Sequence, residues 1–439
     1  MDFPKRFIAA DTVFGTLEVP KAAPYLRRTF TVDALPQEAS LCITGLGFYE
    51  LFINGVRITR SLLAPYISNP DHLICYDTYD VLPYLKVGKN TIGVLLGNGF
   101  LNNEGGKTWK FDQAPFRAAP TMAMRLEMHN EEQVTVIESD EQFVTAPSPI
   151  WYDDYRNGEY YDARRETAGW NLPDFDDSDW APVLTVTPPR GELIENTAPP
   201  IVIEKELKPV EITKYKDTYI YKFPENNAGF CRLDINGKAG QQVTLTFGEF
   251  LEPDGMMNRS CVTYSDAMQK DIYILKDGVQ SYTPTFTYHG FQYVTVEGIT
   301  PEQATLDLLT YVVFHTELPT RGGFTCSDPI TNALQDMVRR TAASNFHHIP
   351  TDCPQREKNG WAVDAALSAE LLLLNFEPEA GYAARLCGEN TWVCVYAAAK
   401  RCVYRYQTMT LSKPCVVSRT VFFVLERLAF VFVVADIWF

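Results

Sequence analysis

Between about residues 25 and 182, apolar and polar positions alternate in short runs, the two-residue period of a half-buried strand. Tyr49-Glu-Leu-Phe-Ile53 is followed by Asn54-Gly55 and then by Val56-Arg-Ile58. This predicts a strand, a two-residue type I′ turn and a second strand, because Asn and Gly tolerate the positive φ such a turn requires. Residues 91–96, 121–128 and 133–138 read the same way, and Lys86-Val-Gly-Lys-Asn90 is turn chemistry ahead of a buried strand. No helical pattern of useful length interrupts them, so the spacing predicts an antiparallel sandwich or jelly roll. Pro188 and Pro189, then Pro199 and Pro200, mark a linker zone. Beyond it, residues 231–235, 242–247, 271–275 and 291–296 predict a second antiparallel β domain over about 201–314.

At Cys326 the period changes. Ser327-Asp328-Pro329 is a helix cap with Pro in the first turn, and Ile330, Leu334, Met337 and Val338 recur at helical spacing. Pro350 and Pro354 predict a loop over 345–357. A second helix begins at Trp361 or Ala362 and runs through Leu374. Two helices after two sandwiches look like the opening of a helical domain. Each hairpin of such a domain needs neighbours over its apolar face, so Leu367, Leu371 and Leu374 are expected to lack a complete inner ring. Of the chain's 55 acidic residues, only Glu426 and Asp436 fall within 401–439. Residues 421–439 are largely apolar but carry Glu426 and Arg427, which argues against a membrane anchor. The expectation is an aberrant tail over 386–439, frameshifted or disordered.

A formal charge of −16 over 439 residues, without a basic stripe, excludes a nucleic-acid partner. No secretory apolar segment is visible at the N-terminus, and the ten cysteines lack a close C-x-x-C pair, which predicts free thiols in the cytoplasm. His347 and His348 are adjacent but have no H-x-x-H partner, so a loop or core role is expected over a metal site. Asp174-Phe-Asp-Asp-Ser-Asp-Trp180 is dense in hard oxygen ligands, and calcium is possible there; a solvated turn fits its spacing better. No cofactor is expected.

The candidate chemistry lies in Asp352-Cys-Pro-Gln-Arg-Glu-Lys-Asn-Gly-Trp-Ala-Val-Asp364. Hydrolysis of a glycosidic bond needs one carboxylic acid for the leaving oxygen and a second carboxylate for water or for the sugar. Asp352, Glu357 and Asp364 are candidates for such a cluster, and Trp361 could wall a sugar pocket. A surface network of charges, with Asp364 merely favouring a helix N-terminus, is the competing reading.

Asp352-Cys-Pro-Gln-Arg-Glu357 with Gly360-Trp361 and Asp364-Ala365 resembles the signature of the bacterial α-L-rhamnosidases of glycoside hydrolase family 78. Gly47-Phe-Tyr-Glu-Leu-Phe-Ile-Asn-Gly55, Gly97-Asn-Gly-Phe100, Tyr161-Asp-Ala-Arg-Arg-Glu-Thr-Ala-Gly-Trp170 and Tyr282-Thr-Pro-Thr-Phe-Thr-Tyr-His-Gly-Phe-Gln-Tyr293 resemble its two β domains. The resemblance spans about residues 25–382. It implies a galactose-binding-like jelly roll over 1–184, a concanavalin-like sandwich over 185–318 and the first helices of an incomplete (α/α)₆ barrel over 319–385.

The same resemblance implies an inverting hydrolase of terminal α-L-rhamnosides. Glu357 would be the general acid, with Asp352, Arg356, Trp361 and Asp364 holding the sugar. The family's general base is a Glu carried much later in the barrel, and Glu370, Glu377 and Glu379 do not match it. Ala362-Val363 departs from the small residues usual there. The chain itself is therefore expected to show no turnover. Rhamnose-containing glycosides are the expected partners, and a non-catalytic, carbohydrate-binding β fragment is the alternative.

Overall fold

The computed structural model describes residues 3, 6–131, 133–260 and 266–388, with the side chains of 385–388 left aside. The expectations for 389–439 lie outside the described residues.

The first β region is a sandwich. One sheet runs Leu184–Val186, Phe7–Ala9, Thr121–His129, Glu38–Leu46, Leu73–Asp80 and Glu192–Glu195, with Val134–Glu138 also paired to Thr121–His129. The other runs Ala181–Pro182, Val144–Pro147, Pro24–Val32, Gly88–Gly97, Phe48–Ile53 and Val56–Arg57. Alternate residues such as Leu41, Ile43, Leu51, Ile92, Val94, Met122 and Leu126 meet between the sheets, fully buried. The turn after Phe48–Ile53 has Asn54 at φ 51° and Gly55 at φ 86°, as the sequence pattern requires.

The second β region is one ten-stranded sheet organised around the long strand Thr218–Gly237. A register shift between Lys222 and Asn227 bends that strand. It pairs with Glu211–Tyr215, Gly278–Tyr282, His289–Glu297 and Leu309–Thr316. The sheet curls round an aromatic core in which Phe291 stacks on Tyr311 at 3.8 Å and meets Phe247 at 4.8 Å.

The two regions exchange strands. Ile150–Asp154 and Gly158–Asp162 join the ten-stranded sheet, the latter parallel to Lys270–Ile274. The segment expected to be a linker contributes Glu192–Glu195, parallel to Leu73–Asp80 in the sandwich. The proline pairs on either side cannot donate ladder hydrogen bonds and so limit this strand's length. Gly97 lies against the ring of Phe286, where a Cβ would come within 2.4 Å. A shared core including Tyr25, Phe48, Phe230, Tyr288 and Phe314 seals the join.

The helical part follows. Helix α1 is Pro329–Ser344, α2 is Ala362–Asn375 and α3 is Glu379–Gly388. The Asp328 carboxylate accepts from the Ile330 and Thr331 amides, 3.2 Å each, and caps α1. The helices meet through small residues, Ala342, Ala365 and Ala369, with Phe346, Leu372, Phe376 and Tyr382. The apolar stripe of α1 does not join this core: Ile330 is 78% exposed, and Leu334 and Met337 are exposed as well. Val363, Leu367 and Leu374 on α2 are also exposed, while Leu371 is half-buried.

Candidate active site

The candidate segment leaves α1 through a two-strand bridge, Phe346–His347 with Ile349–Pro350, and then wraps against the ten-stranded sheet before α2. His347 and His348 are core residues, as the spacing suggested. The ring of His347 stacks on Tyr288 at 4.0 Å and its Nε2 lies 2.9 Å from the Phe314 carbonyl. His348 Nε2 lies 3.0 Å from the Leu63 carbonyl, and burial pushes its pKa down to about 4. Among the described residues, no three His, Cys, Asp or Glu side chains converge in a way that could hold a metal ion. In the acidic turn, Asp177 pairs with the buried Arg27 and Asp176 accepts from the Ser178 amide.

Glu357 is largely covered. Its Oε2 accepts from the Trp361 indole Nε1 at 2.8 Å, and its Oε1 accepts from Arg356 Nη2 at 3.1 Å. Trp361 is thus bonded to the carboxylate, four residues away across the start of α2. Asp352 lies on the same loop, half-buried. Its Oδ1 accepts from the Asn359 amide at 3.2 Å and its Oδ2 from the Cys353 thiol at 3.0 Å. Burial raises the pKa of Asp352 above the usual range, and the neighbouring Glu357 carboxylate adds to the rise. Asp364, in the first turn of α2, is exposed. Glu357, Arg356, Trp361 and Asp352 therefore gather on one loop, while the Asp364 carboxylate makes none of the hydrogen bonds that join them.

Cys353 links both ends of the loop. Its thiol donates to Asp352, and its sulfur accepts from the Glu357 amide at 3.3 Å. Burial and the bond to Asp352 push that thiol up to about 11, so it stays protonated as a donor. Lys358 points away from Glu357. It is fully buried, and its Nζ donates to the carbonyls of Tyr155, at 2.6 Å, and Tyr288. The backbone at Lys358 is left-handed, with φ 52°, a conformation that costs a non-glycine residue about 1–2 kcal/mol. Arg156, on the turn between Ile150–Asp154 and Gly158–Asp162, reaches the loop from the other side. Its Nε donates to the Glu357 carbonyl at 2.6 Å and its Nη2 to Asn359 Oδ1 at 2.5 Å. Pro354 and Gln355 press on Gly290, where a Cβ would meet Pro354 Cγ at 2.7 Å, and Gln355 donates to Glu249 at 2.9 Å.

Cys353, Lys358 and Asn359 stand inside the motif but have no distinctive spacing. Arg156 and Glu249 lie 201 and 108 residues before Glu357, and nothing in a linear pattern joins them to it. A cavity of about 420 Å³ is lined by residues including Phe14, Lys21, Asn98 and Asp153. It is lined by none of the residues gathered around Glu357.

Residues 34–205 match the α-L-rhamnosidase N-terminal domain, 212–315 the bacterial α-L-rhamnosidase concanavalin-like domain and 319–387 the bacterial α-L-rhamnosidase 6 hairpin glycosidase domain. An α-L-rhamnosidase of Formosa agariphila is 31% identical over 366 residues, covering 81% of this chain and 38% of that protein. One from Streptomyces avermitilis is 33% identical, covering 79% and 34%. The chain thus spans about 38% of the Formosa relative's length. The α-L-rhamnosidase structure from Dictyoglumus thermophilum superposes with a TM-score of 0.82 at 32% identity, over 91% of this chain and 48% of that one. The Streptomyces avermitilis enzyme, complexed with L-rhamnose, gives a TM-score of 0.78 at 31% identity, over 83% and 36%.

Proposed function

The chain belongs to the bacterial α-L-rhamnosidase family, and on that premise we propose that its 352–364 segment supplies the acid side of an inverting α-L-rhamnosidase. The observation that carries the reading is the Glu357 carboxylate, covered by the loop and bonded by the Trp361 indole. Glu357 protonates the leaving glycosidic oxygen. Asp352 and Arg356 flank it and bond the hydroxyls of a terminal rhamnose, with Trp361 as a wall. Asp364 joins them from the first turn of α2 when the sugar is bound. A relative of this chain binds L-rhamnose, which supports rhamnosides as the substrate class.

Inversion requires a base carboxylate about 6.5–9.5 Å from the acid, with a water between them. We assign that base to none of the described residues. Glu370 and Glu377 are exposed, and Glu379 pairs with Arg321. Cys42, Cys75, Cys231, Cys326 and Cys353 are free thiols, which supports a reducing cytoplasm. Among the described residues no helix is long and apolar enough to cross a membrane.

The test is proton NMR of the first-formed sugar, using this segment in a chain of the relatives' length. Release of β-L-rhamnose is expected. A first-formed α anomer contradicts the mechanism, and preferential release of another sugar contradicts the substrate. Glu357→Gln should lower kcat on poor leaving groups by about 10²–10⁴-fold, with a smaller loss on p-nitrophenyl α-L-rhamnoside.

A further inference from the structure

The buried arginine of the second β region faces the back of the acid. Arg156 is completely buried, and burial pushes its guanidinium pKa below the usual value, with the Asp154 carboxylate opposing that shift. A cation held in this way, without a carboxylate in direct contact among the described residues, needs compensating partners. Its partners are the Glu357 carbonyl, the Asn359 side chain and the faces of three rings: Phe111 at 4.9 Å, Trp109 at 5.3 Å and Phe100 at 5.4 Å. The turn that carries Arg156 is fixed in its own right. The Asp154 carboxylate accepts from the amides of Glu104, Gly105, Arg156 and Asn157.

The contact is reciprocal. Lys358 of the loop donates to the carbonyl of Tyr155, one residue before Arg156. Its Nζ also lies over the Tyr288 ring at 4.2 Å. Two neighbouring residues of the turn thus grip three consecutive residues of the loop, Glu357, Lys358 and Asn359. Both cations bond backbone oxygens, and the Glu357 carboxylate is left to Trp361 and Arg356 on the other side.

We propose that Arg156 is a positioning residue for the acid: it clamps the Glu357 backbone to the β region and thereby sets where the Glu357 carboxylate stands. This deepens the rhamnosidase reading and rests on it. It makes the two β regions part of the catalytic apparatus, because the acid is located from a turn 201 residues earlier in the chain.

The experiment uses the 439-residue chain with ¹⁵N-labelled tryptophan, lysine and asparagine. Arg156→Met keeps the side-chain length and suits the aromatic cage. Two readouts are taken: amide exchange at Lys358 and Asn359, and the Trp361 indole N–H resonance, assigned with Trp361→Phe. The position of that resonance without its acceptor is defined by Glu357→Ala. Arg156→Met is expected to speed exchange at both amides by at least about tenfold and to move the indole resonance toward its Glu357→Ala position. The Trp170 indole, in the core between the sandwich and the ten-stranded sheet, should stay in place.

Unchanged exchange and an unchanged indole overturn the proposal. Faster exchange with a fixed indole also overturns it, because the loop would then be held without the acid being placed. If Arg156→Met disturbs Trp170, exchange at Lys358 and the Trp361 indole are read on Asn359→Ala, which removes one arm only; a smaller change in the same direction is expected, and none overturns the clamp. If Glu357→Ala itself leaves the indole resonance unmoved, the pairing of acid and tryptophan fails, and with it the functional reading, while the exchange rates still report on the clamp.

Discussion

The acid loop and the helices that flank it are adjacent in the chain but differ in what holds them. The loop is tied at five residues to the β region: Pro354 and Gln355 at Gly290 and Glu249, Glu357 and Asn359 at Arg156, Lys358 at Tyr155 and Tyr288. Helices α1 and α2 touch one another through alanines and turn Ile330, Leu334, Leu367 and Leu374 outward. The geometry of the loop and the packing of the helices are therefore separable here. Glu357 is bonded through its carbonyl from the β region, and among the described residues the helices bury Ala342, Ala365 and Leu372 against one another.

The largest effect expected from probing this contrast is in the sheet. Phe291→Ala removes a fully buried ring stacked on Tyr311 and should cost about 3–5 kcal/mol in urea unfolding. A cost below about 1 kcal/mol would mean that the aromatic core does not support the loop.

A pH effect of somewhat smaller size comes from Glu159. Its carboxyl is fully buried beneath the Thr285 and Phe286 amides, and burial pushes its pKa up to about 8. Between its ordinary value and about 8, the folded chain holds a proton that the unfolded chain releases. The stability this group contributes is therefore present at low pH and lost as pH rises through that window, by an amount on the order of a few kcal/mol. Glu159→Gln should flatten the fall in urea midpoint between pH 5 and pH 8. An equally steep fall in the variant would assign the effect elsewhere, with Asp153, pushed up to about 7 by burial, the next group to replace.

Cys353→Ala tests the loop from within. It removes the thiol that donates to Asp352, at a cost of about 1 kcal/mol in thermal unfolding. Without that donor the Asp352 pKa should rise further, measured by carbon NMR of its carboxyl; Cys353→Ser should restore it. A fall, or no change, would remove the thiol from the site's electrostatics. The smallest effect belongs to the helices. Leu367→Ala, at 79% exposure, should change the stability of the described fold by no more than about 0.5 kcal/mol. A larger loss would show that this face is covered in solution.

How far the sequence revealed these features depended on whether each rests on local or distant chemistry. Asn54-Gly55 announced its turn because both residues must accept positive φ, and Asp328-Pro329 announced α1 because the cap lies next to the amides it satisfies. The alternating runs placed the strands but not their sheets. Gly158–Asp162 follows the strands of the sandwich directly in the chain, yet it pairs with Lys270–Ile274. The stripe Ile330, Leu334, Met337 correctly marked a helix and did not reveal that the described fold leaves it exposed, since periodicity specifies a face but not its partner. At the site, Asp352, Arg356, Glu357 and Trp361 were legible because they share one short motif. Arg156 was not, because a buried arginine that bonds a carbonyl 201 residues away has no local signature.

The central claim, that the acid loop belongs energetically to the sheet and not to the helices, is tested most directly by hydrogen exchange of the unmodified chain. The amides of Thr351, Asp352 and Lys358 each donate within the described fold, to Asn345, Asn359 and Cys353 at 2.8, 3.2 and 3.1 Å. They should exchange as slowly as the sheet amides of residues 270–274 and more slowly than the amides in the outward-facing half of α1. Loop amides that exchange with α1, well ahead of the sheet, would contradict the account.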